Sequence, residues 1–174
     1  GSIKAILFVA SATLYLGVGY WLEVNRGFIM GDSLARVASS QSVLFSRDPH
    51  LAAIGFIFTP LTALVQLPMI AISPLWPALT ERAFSASVMS AFFMAGAVVQ
   101  ILSISTDRGL PRWYGLSITV LFAVHPMIVF YGSNGMSEAP FVFFMTWAVR
   151  RLILWMVDDD VHHLLRHHDD LLHH

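Results

Sequence analysis

The sequence predicts an all-α integral membrane fold. The expected layout is about four transmembrane helices, with five as the alternative, and in-plane amphipathic helices in the first outer loop. Three observations predict it. The 174 residues are 56% hydrophobic and only 12% charged, about half the charged share of a soluble domain. Mean hydropathy is +0.68, and apolar runs of the roughly 20 residues that a bilayer span needs recur along the chain. The polar residues are gathered into intervals between those runs. The longest such interval before the C-terminal tail is residues 31–50, GDSLARVASSQSVLFSRDPH.

Composition also excludes function classes. There is no cysteine, hence no disulfide, no thiolate metal site and no cysteine nucleophile. Net charge is −1 without a basic block, which leaves no footprint for a nucleic-acid partner. The length allows four or five spans and no large soluble domain. No P-loop, GxGxxG, HExxH or GxSxG pattern occurs. Gly1-Ser2 reads as a cloning remnant. The first apolar run is too long for a signal-peptide core and lacks a small-residue cleavage site, so it reads as an uncleaved anchor.

Residues 3–22 form the first expected span. Lys4 stands at one end and Tyr20 and Trp21 at the other, where rings suit the headgroup belt. Residues 23–30 leave the membrane. Asp32 or Ser33 is placed to cap a helix from 34 to about 45. Leu34, Val37, Val43 and Leu44 mark its apolar side, and Arg36, Ser39, Ser40 and Gln41 its polar side. Such a helix beside a span should lie in the interface plane. Arg47-Asp48-Pro49-His50 is a turn, because the residue before a proline avoids helix. Residues 51–73 are apolar but broken by Gly55, Pro60 and Pro68, and Thr59-Pro60 has the pattern of a helix start. Residues 83–105 form a clear span, rich in Ala, Ser and Gly that permit close helix approach. The stretch 113–131 is the next span, interrupted by His125-Pro126, and 139–157 is the last. The transmembrane module 1–157 is followed by a His/Asp-rich tail, 158–174.

Charge decides between four spans and five. With 51–73 held on the outer side, Arg108, Arg112, Arg150 and Arg151 all fall inside, as the positive-inside rule asks. Both termini are then cytoplasmic, the outer loop runs from 23 to 82, and Asp32 and Glu138 share the outer face. If 51–73 crossed, those arginines would face outward.

Asp32 and Glu138 are the catalytic candidates. Acids at a membrane face are costly and often functional. Either could serve as a general base, and together they could hold a divalent cation through oxygen. The competing reading is a helix cap for Asp32 and a solvated loop charge for Glu138. Arg36, Arg47 and His50 lie in the same outer segment and are the candidates for binding a lipid phosphate, since Arg offers a fork of donors to phosphate oxygens. Against this stands snorkelling to headgroups for the arginines and capping of the next segment for His50. His125 reads as a packed residue bonding a freed backbone carbonyl. In the tail, His163 and His167 are four apart, a metal spacing; the competing reading is an amphipathic helix on the membrane surface. The small-residue face near 91–97 is a candidate surface for assembly with other chains. A transporter or channel has less support, because only Gln100 and His125 are polar groups deep within spans.

The order of these features resembles a known family. An anchor span is followed by GDSLARVA with an acid at its start, then RDPHLAAIGFIFTPLTALVQLP, and later HPMIVFYGSNGMSEAPF at a short outer loop. Over residues 3–157 this resembles the N-terminal part of the GT-C superfamily of polytopic glycosyltransferases, in particular the protein O-mannosyltransferase and aminoarabinose-transferase-like group, family 39. The resemblance implies transfer of a sugar from a polyprenyl-phosphate-linked donor, usually with inversion, to an acceptor at the extracytoplasmic face. It implies that Asp32 is the base or acceptor-positioning acid and that Glu138 lines the same cavity. It implies, more weakly, that Arg36, Arg47 and His50 bind the donor phosphate, and it leaves a divalent metal open. Expected partners are the lipid-linked donor, membrane lipids, and partner membrane chains or a second copy. The expected place is the bacterial inner membrane. Members of that family carry more spans, so the chain is expected to be the front of a longer enzyme or a short relative working with a partner.

Overall fold

A computed structural model describes the backbone of residues 2–54 and 60–172 and side chains as far as Val157. Helix α1 (Ser2–Tyr20) continues through a π-helical turn, Trp21–Asn25. Helix α2 is Gly31–Phe45, followed by a 3-10 turn at Leu51–Ile54. Helices α3 (Pro60–Ala71) and α4 (Ala78–Glu81) come next. Beyond them lie α5 (Phe84–Asp107), α6 (Arg112–Val124), α7 (Pro126–Ser133) and α8 (Glu138–Leu172). No strand occurs among the described residues.

Three helical stretches are long and apolar enough to cross a membrane: Ser2–Asn25, Phe84–Asp107 and Glu138–Val157. A fourth is reached if α6 and α7, bent by 58° at their junction, count as one. Helix α3 starts at Pro60 and has 12 residues. At 1.5 Å per residue that is about 18 Å, well short of the roughly 30 Å of a hydrocarbon core. The five-span alternative therefore has no support among the described residues; Thr59, the other half of the expected helix start, lies outside them. The backbone of α8 runs unbroken past Val157 to Leu172. The side chains of His163 and His167 lie outside the described residues.

Helix α5 is the centre. It packs against α1, α6, α7 and α8, and 56% of its apolar window is buried against 6% for α8. Its small residues explain this: Ala91, Ala95 and Ala97 are fully buried and let neighbouring helices close in. Tyr15, Met94, Val98, Ala123 and Ala139 fill the core around them. Gly96 meets the ring of Phe143, where an added Cβ would lie 2.8 Å from ring carbons. The small-residue face expected to meet other chains is thus consumed within this one. Helix α8 instead leaves Phe141, Trp147 and Trp155 exposed, an apolar surface that suits lipid.

The α6–α7 break has a local cause. Pro126 has no N–H, and the N–H of Met127 turns to His125 Nδ1 at 3.3 Å. His125 therefore caps α7 by accepting from an N–H, rather than bonding a freed carbonyl as expected. The carbonyl that Met127 would otherwise pair with is that of Ala123 (i−4). It receives the hydroxyl of Tyr15, from α1, at 2.9 Å. The break is satisfied within the protein, as a low-dielectric setting demands.

Candidate functional site

Asp32 does not cap α2. The cap position is Met30, extended and without a side-chain bond. Asp32 sits exposed in the first turn, where its charge complements the positive end of the helix. The faces of α2 also depart from the expectation. Ser33, Arg36, Val37, Ser40 and Val43 are buried, while Leu34 is 46% exposed. The reason is what lies beneath. Helix α2 rests partly on apolar side chains, with Val37 against Ile70, Ala83 and Ala86, and partly on backbone carbonyls that take donors. Ser40 Oγ lies 3.0 Å from the Ala63 carbonyl of α3. Arg36, buried, donates to the Gly135 carbonyl at 3.4 Å and to Ser137 Oγ at 3.3 Å. Gly135 has φ +72°, and a Cβ there would come within 2.8 Å of Ser33 Oγ. Only glycine lets the α7–α8 loop turn in this way and approach α2 so closely.

Glu138 opens α8 and is half-buried. Its Oε2 is shielded and has no hydrogen-bond partner among the described residues. With Ser137 and Thr62 it forms the polar part of a groove of about 570 Å³, walled by Leu61, Pro140, Phe141 and Phe144. Arg36 grips the loop residue next to Glu138, and Asp32 stands one helical turn before Arg36. Arg36 thus ties α2, the helix that carries Asp32, to the loop that opens α8, while Asp32 itself is exposed and does not line the groove at Glu138.

The three candidate cations do not form one cluster. Arg36 is buried at that junction, while Arg47 and His50 are exposed past the other end of α2. Roughly 14 Å of helix separates Arg36 from Phe45. His50 Nδ1 donates to the Asp48 carbonyl at 2.6 Å, which fixes the local turn. Among the described residues no three His, Asp or Glu side chains converge as a metal site. Asp32 and Glu138 alone supply too few oxygens for a protein-built divalent cage.

The sequence reading missed a second polar group. Glu23, in the π-helical turn, is 1% exposed. Ser87 Oγ of α5 lies 2.6 Å from Glu23 Oε1 and 2.7 Å from the Ser133 carbonyl. Glu23 Oε2, Ser33 Oγ and Asn134 Nδ2 are buried without a hydrogen-bond partner among the described residues. A buried carboxyl is costly unless bonded, and π-turns recur at functional sites. One signal was available: Glu23 is the first acid after an acid-free apolar run, two residues past the aromatic pair Tyr20-Trp21. Together Glu23, Ser87, Asn134, Arg36 and Glu138 give this end of the bundle a polar interior beneath α2.

No family model, no curated protein and no solved structure matches this chain.

Proposed function

We propose that the chain is a membrane glycosyltransferase module that takes a sugar from a polyprenyl-phosphate-linked donor at the extracytoplasmic face. The observation that carries this reading is the groove at the start of α8. It joins an apolar slot, walled by Leu61, Phe141 and Phe144, to a polar end holding Glu138 and Ser137. Such a site suits a ligand with a hydrocarbon tail and a polar head, because each part meets its own kind of surface. In this reading α2 and α3 lie in the outer interface plane and both termini are cytoplasmic.

The chemistry assigns roles. The acceptor hydroxyl attacks the anomeric carbon, and the exposed carboxylate of Asp32 takes its proton. The bond from that carbon to the phosphate oxygen breaks, and the lipid phosphate leaves with the electron pair. Glu138, with a free acceptor oxygen, holds a sugar or acceptor hydroxyl. Of the three candidate cations only Arg36 stands at this end of α2; Arg47 and His50, past its other end, are too far to meet a phosphate bonded to the carbon that an acceptor at Asp32 attacks. A second reading, a non-catalytic module that binds lipid-linked sugar, draws on one observation: no hydrogen bond among the described residues holds the Asp32 carboxylate in place.

One experiment separates the readings. Membranes containing the protein are given labelled short-chain polyprenyl-phosphoryl mannose. Wild type should transfer label, and Asp32→Asn should lose about a hundredfold or more of the rate while still binding the donor. Unchanged transfer by Asp32→Asn removes the base assignment. Donor binding without transfer by wild type selects the second reading, and neither binding nor transfer defeats both for this donor.

A further inference from the structure

The opposite end of the bundle carries an independent feature. There the start of α1, the end of α5 and the start of α6 enclose a groove of about 300 Å³. Its wall includes Ile3, Leu102, Leu110 and Leu116, and its rim carries Lys4 and Arg112. Lys4 is half-buried and Arg112 exposed. Among the described residues neither is ion-paired; the salt bridges are Arg150–Asp107 and His50–Asp48. Asp107, the acid at this end of α5, is taken by Arg150 at 2.7 Å, and among the described residues no acid lines the groove. Two cations therefore flank an apolar slot with no counter-charge among the described residues.

Depth is set by the neighbours of Arg112. Trp113 and Tyr114 are exposed and meet edge to face. Rings placed so at a helix end settle at headgroup level, so the groove opens where lipid phosphates lie. Basic pockets between membrane helices suit anionic headgroups. Arg supplies a planar fork of donors to phosphate oxygens and Lys a compact charge. The leucine wall matches an acyl chain. We infer that this groove seats one anionic phospholipid, with its phosphate between Lys4 and Arg112 and a chain along Leu102 and Leu116.

The test titrates the purified protein in detergent with short-chain phosphatidylglycerol and reads bound lipid by native mass spectrometry. Wild type should hold one lipid, and the double variant Lys4→Gln/Arg112→Gln should bind about thirtyfold more weakly. Arg108→Gln, an exposed cation outside the groove, should bind as wild type does. Leu116→Trp fills the slot without touching either charge and should also lose the lipid, which keeps the test open if the double variant misfolds. Equal affinity in wild type and the charge and slot variants overturns the site. Equal weakening by Arg108→Gln overturns it too, since the binding would then follow diffuse charge. Phosphatidylcholine of the same chain length binding as tightly overturns the anionic preference. Inorganic phosphate displacing the lipid at millimolar concentration overturns the lipid in favour of free phosphate, and failure to displace it supports the lipid.

Discussion

Arg36 Nη2 lies 3.3 Å from Ser137 Oγ, and with its 3.4 Å contact to the Gly135 carbonyl it fastens α2 to the loop that opens α8. Both distances are long for charge-assisted bonds, which favour roughly 2.7–2.9 Å. Arg36→Ala is therefore expected to cost about 3 kcal/mol, the lower end of what two bonds to a charged group contribute. It should also free α2 and lower sugar transfer. Arg36→Lys keeps the charge but not the fork, so it should fall between. Thermal unfolding in detergent reads the order, and a wild-type melting temperature for Arg36→Ala would show that these contacts hold nothing.

Glu23 makes a prediction through hydrogen counting. Ser87 has one hydroxyl proton and two acceptors within 2.7 Å, Glu23 Oε1 and the Ser133 carbonyl. Glu23→Gln brings an amide donor to Ser87 Oγ, so Ser87 can give its proton wholly to Ser133. The variant should be more stable by about 1 kcal/mol, the net worth of a typical hydrogen bond. Glu23→Ala loses the contact and leaves a void, and should be less stable than wild type by about 2 kcal/mol. The expected order of melting temperatures is Gln, wild type, Ala. A Gln variant that melts below wild type would sink the count.

The spans were legible because their signal is local. The expected 3–22 and 83–105 lie within three residues of Ser2–Asn25 and Phe84–Asp107, since long apolar runs need no partner to be recognised. The break at His125-Pro126 was legible for the same reason, as proline removes a donor wherever it stands. Its rescue was not legible, because Tyr15 is 108 residues away in the chain. The faces of α2 were only partly legible: Val37 and Val43 are buried as the pattern asks, Val37 against Ile70, Ala83 and Ala86. Arg36 and Ser40 are buried beside them because the bed also includes backbone of the α7–α8 loop and of α3, which takes donors. Glu23 was missed because a π-turn adds a residue per turn and rotates the side chains beyond it, which no side-chain pattern announces. Asp32 and Glu138 were placed on one face by counting spans; that Arg36 joins their two elements depends on tertiary contact.

The small-residue face of α5 yields a prediction opposite to one based on assembly. A Cβ on Gly96 would lie 2.8 Å from the ring of Phe143, so Gly96→Leu overfills an intrachain contact. Overpacking of this kind costs about 1–3 kcal/mol. The loss should appear at every protein concentration, and Phe143→Ala should partly restore it in the double variant. A melting temperature that recovers as protein concentration rises would instead place a second chain at Gly96.

Orientation can be argued from side chains that share one end. Lys4 and Arg112 border one groove, and Arg150 is bonded to Asp107 at the end of α5. The start of α1, the α5–α6 loop and the later turns of α8 therefore lie together, with Arg108 exposed on that loop. Short loops rich in arginine stay in the cytoplasm. The chain has no cysteine, so single cysteines report cleanly. In the proposed orientation Leu51→Cys, at an exposed position beyond α2, should react with a membrane-impermeant maleimide in intact cells. Arg108→Cys should react only after permeabilisation. Labelling of Arg108→Cys in intact cells would reverse the orientation, placing the groove at Glu138 on the cytoplasmic side, where an extracytoplasmic acceptor is out of reach.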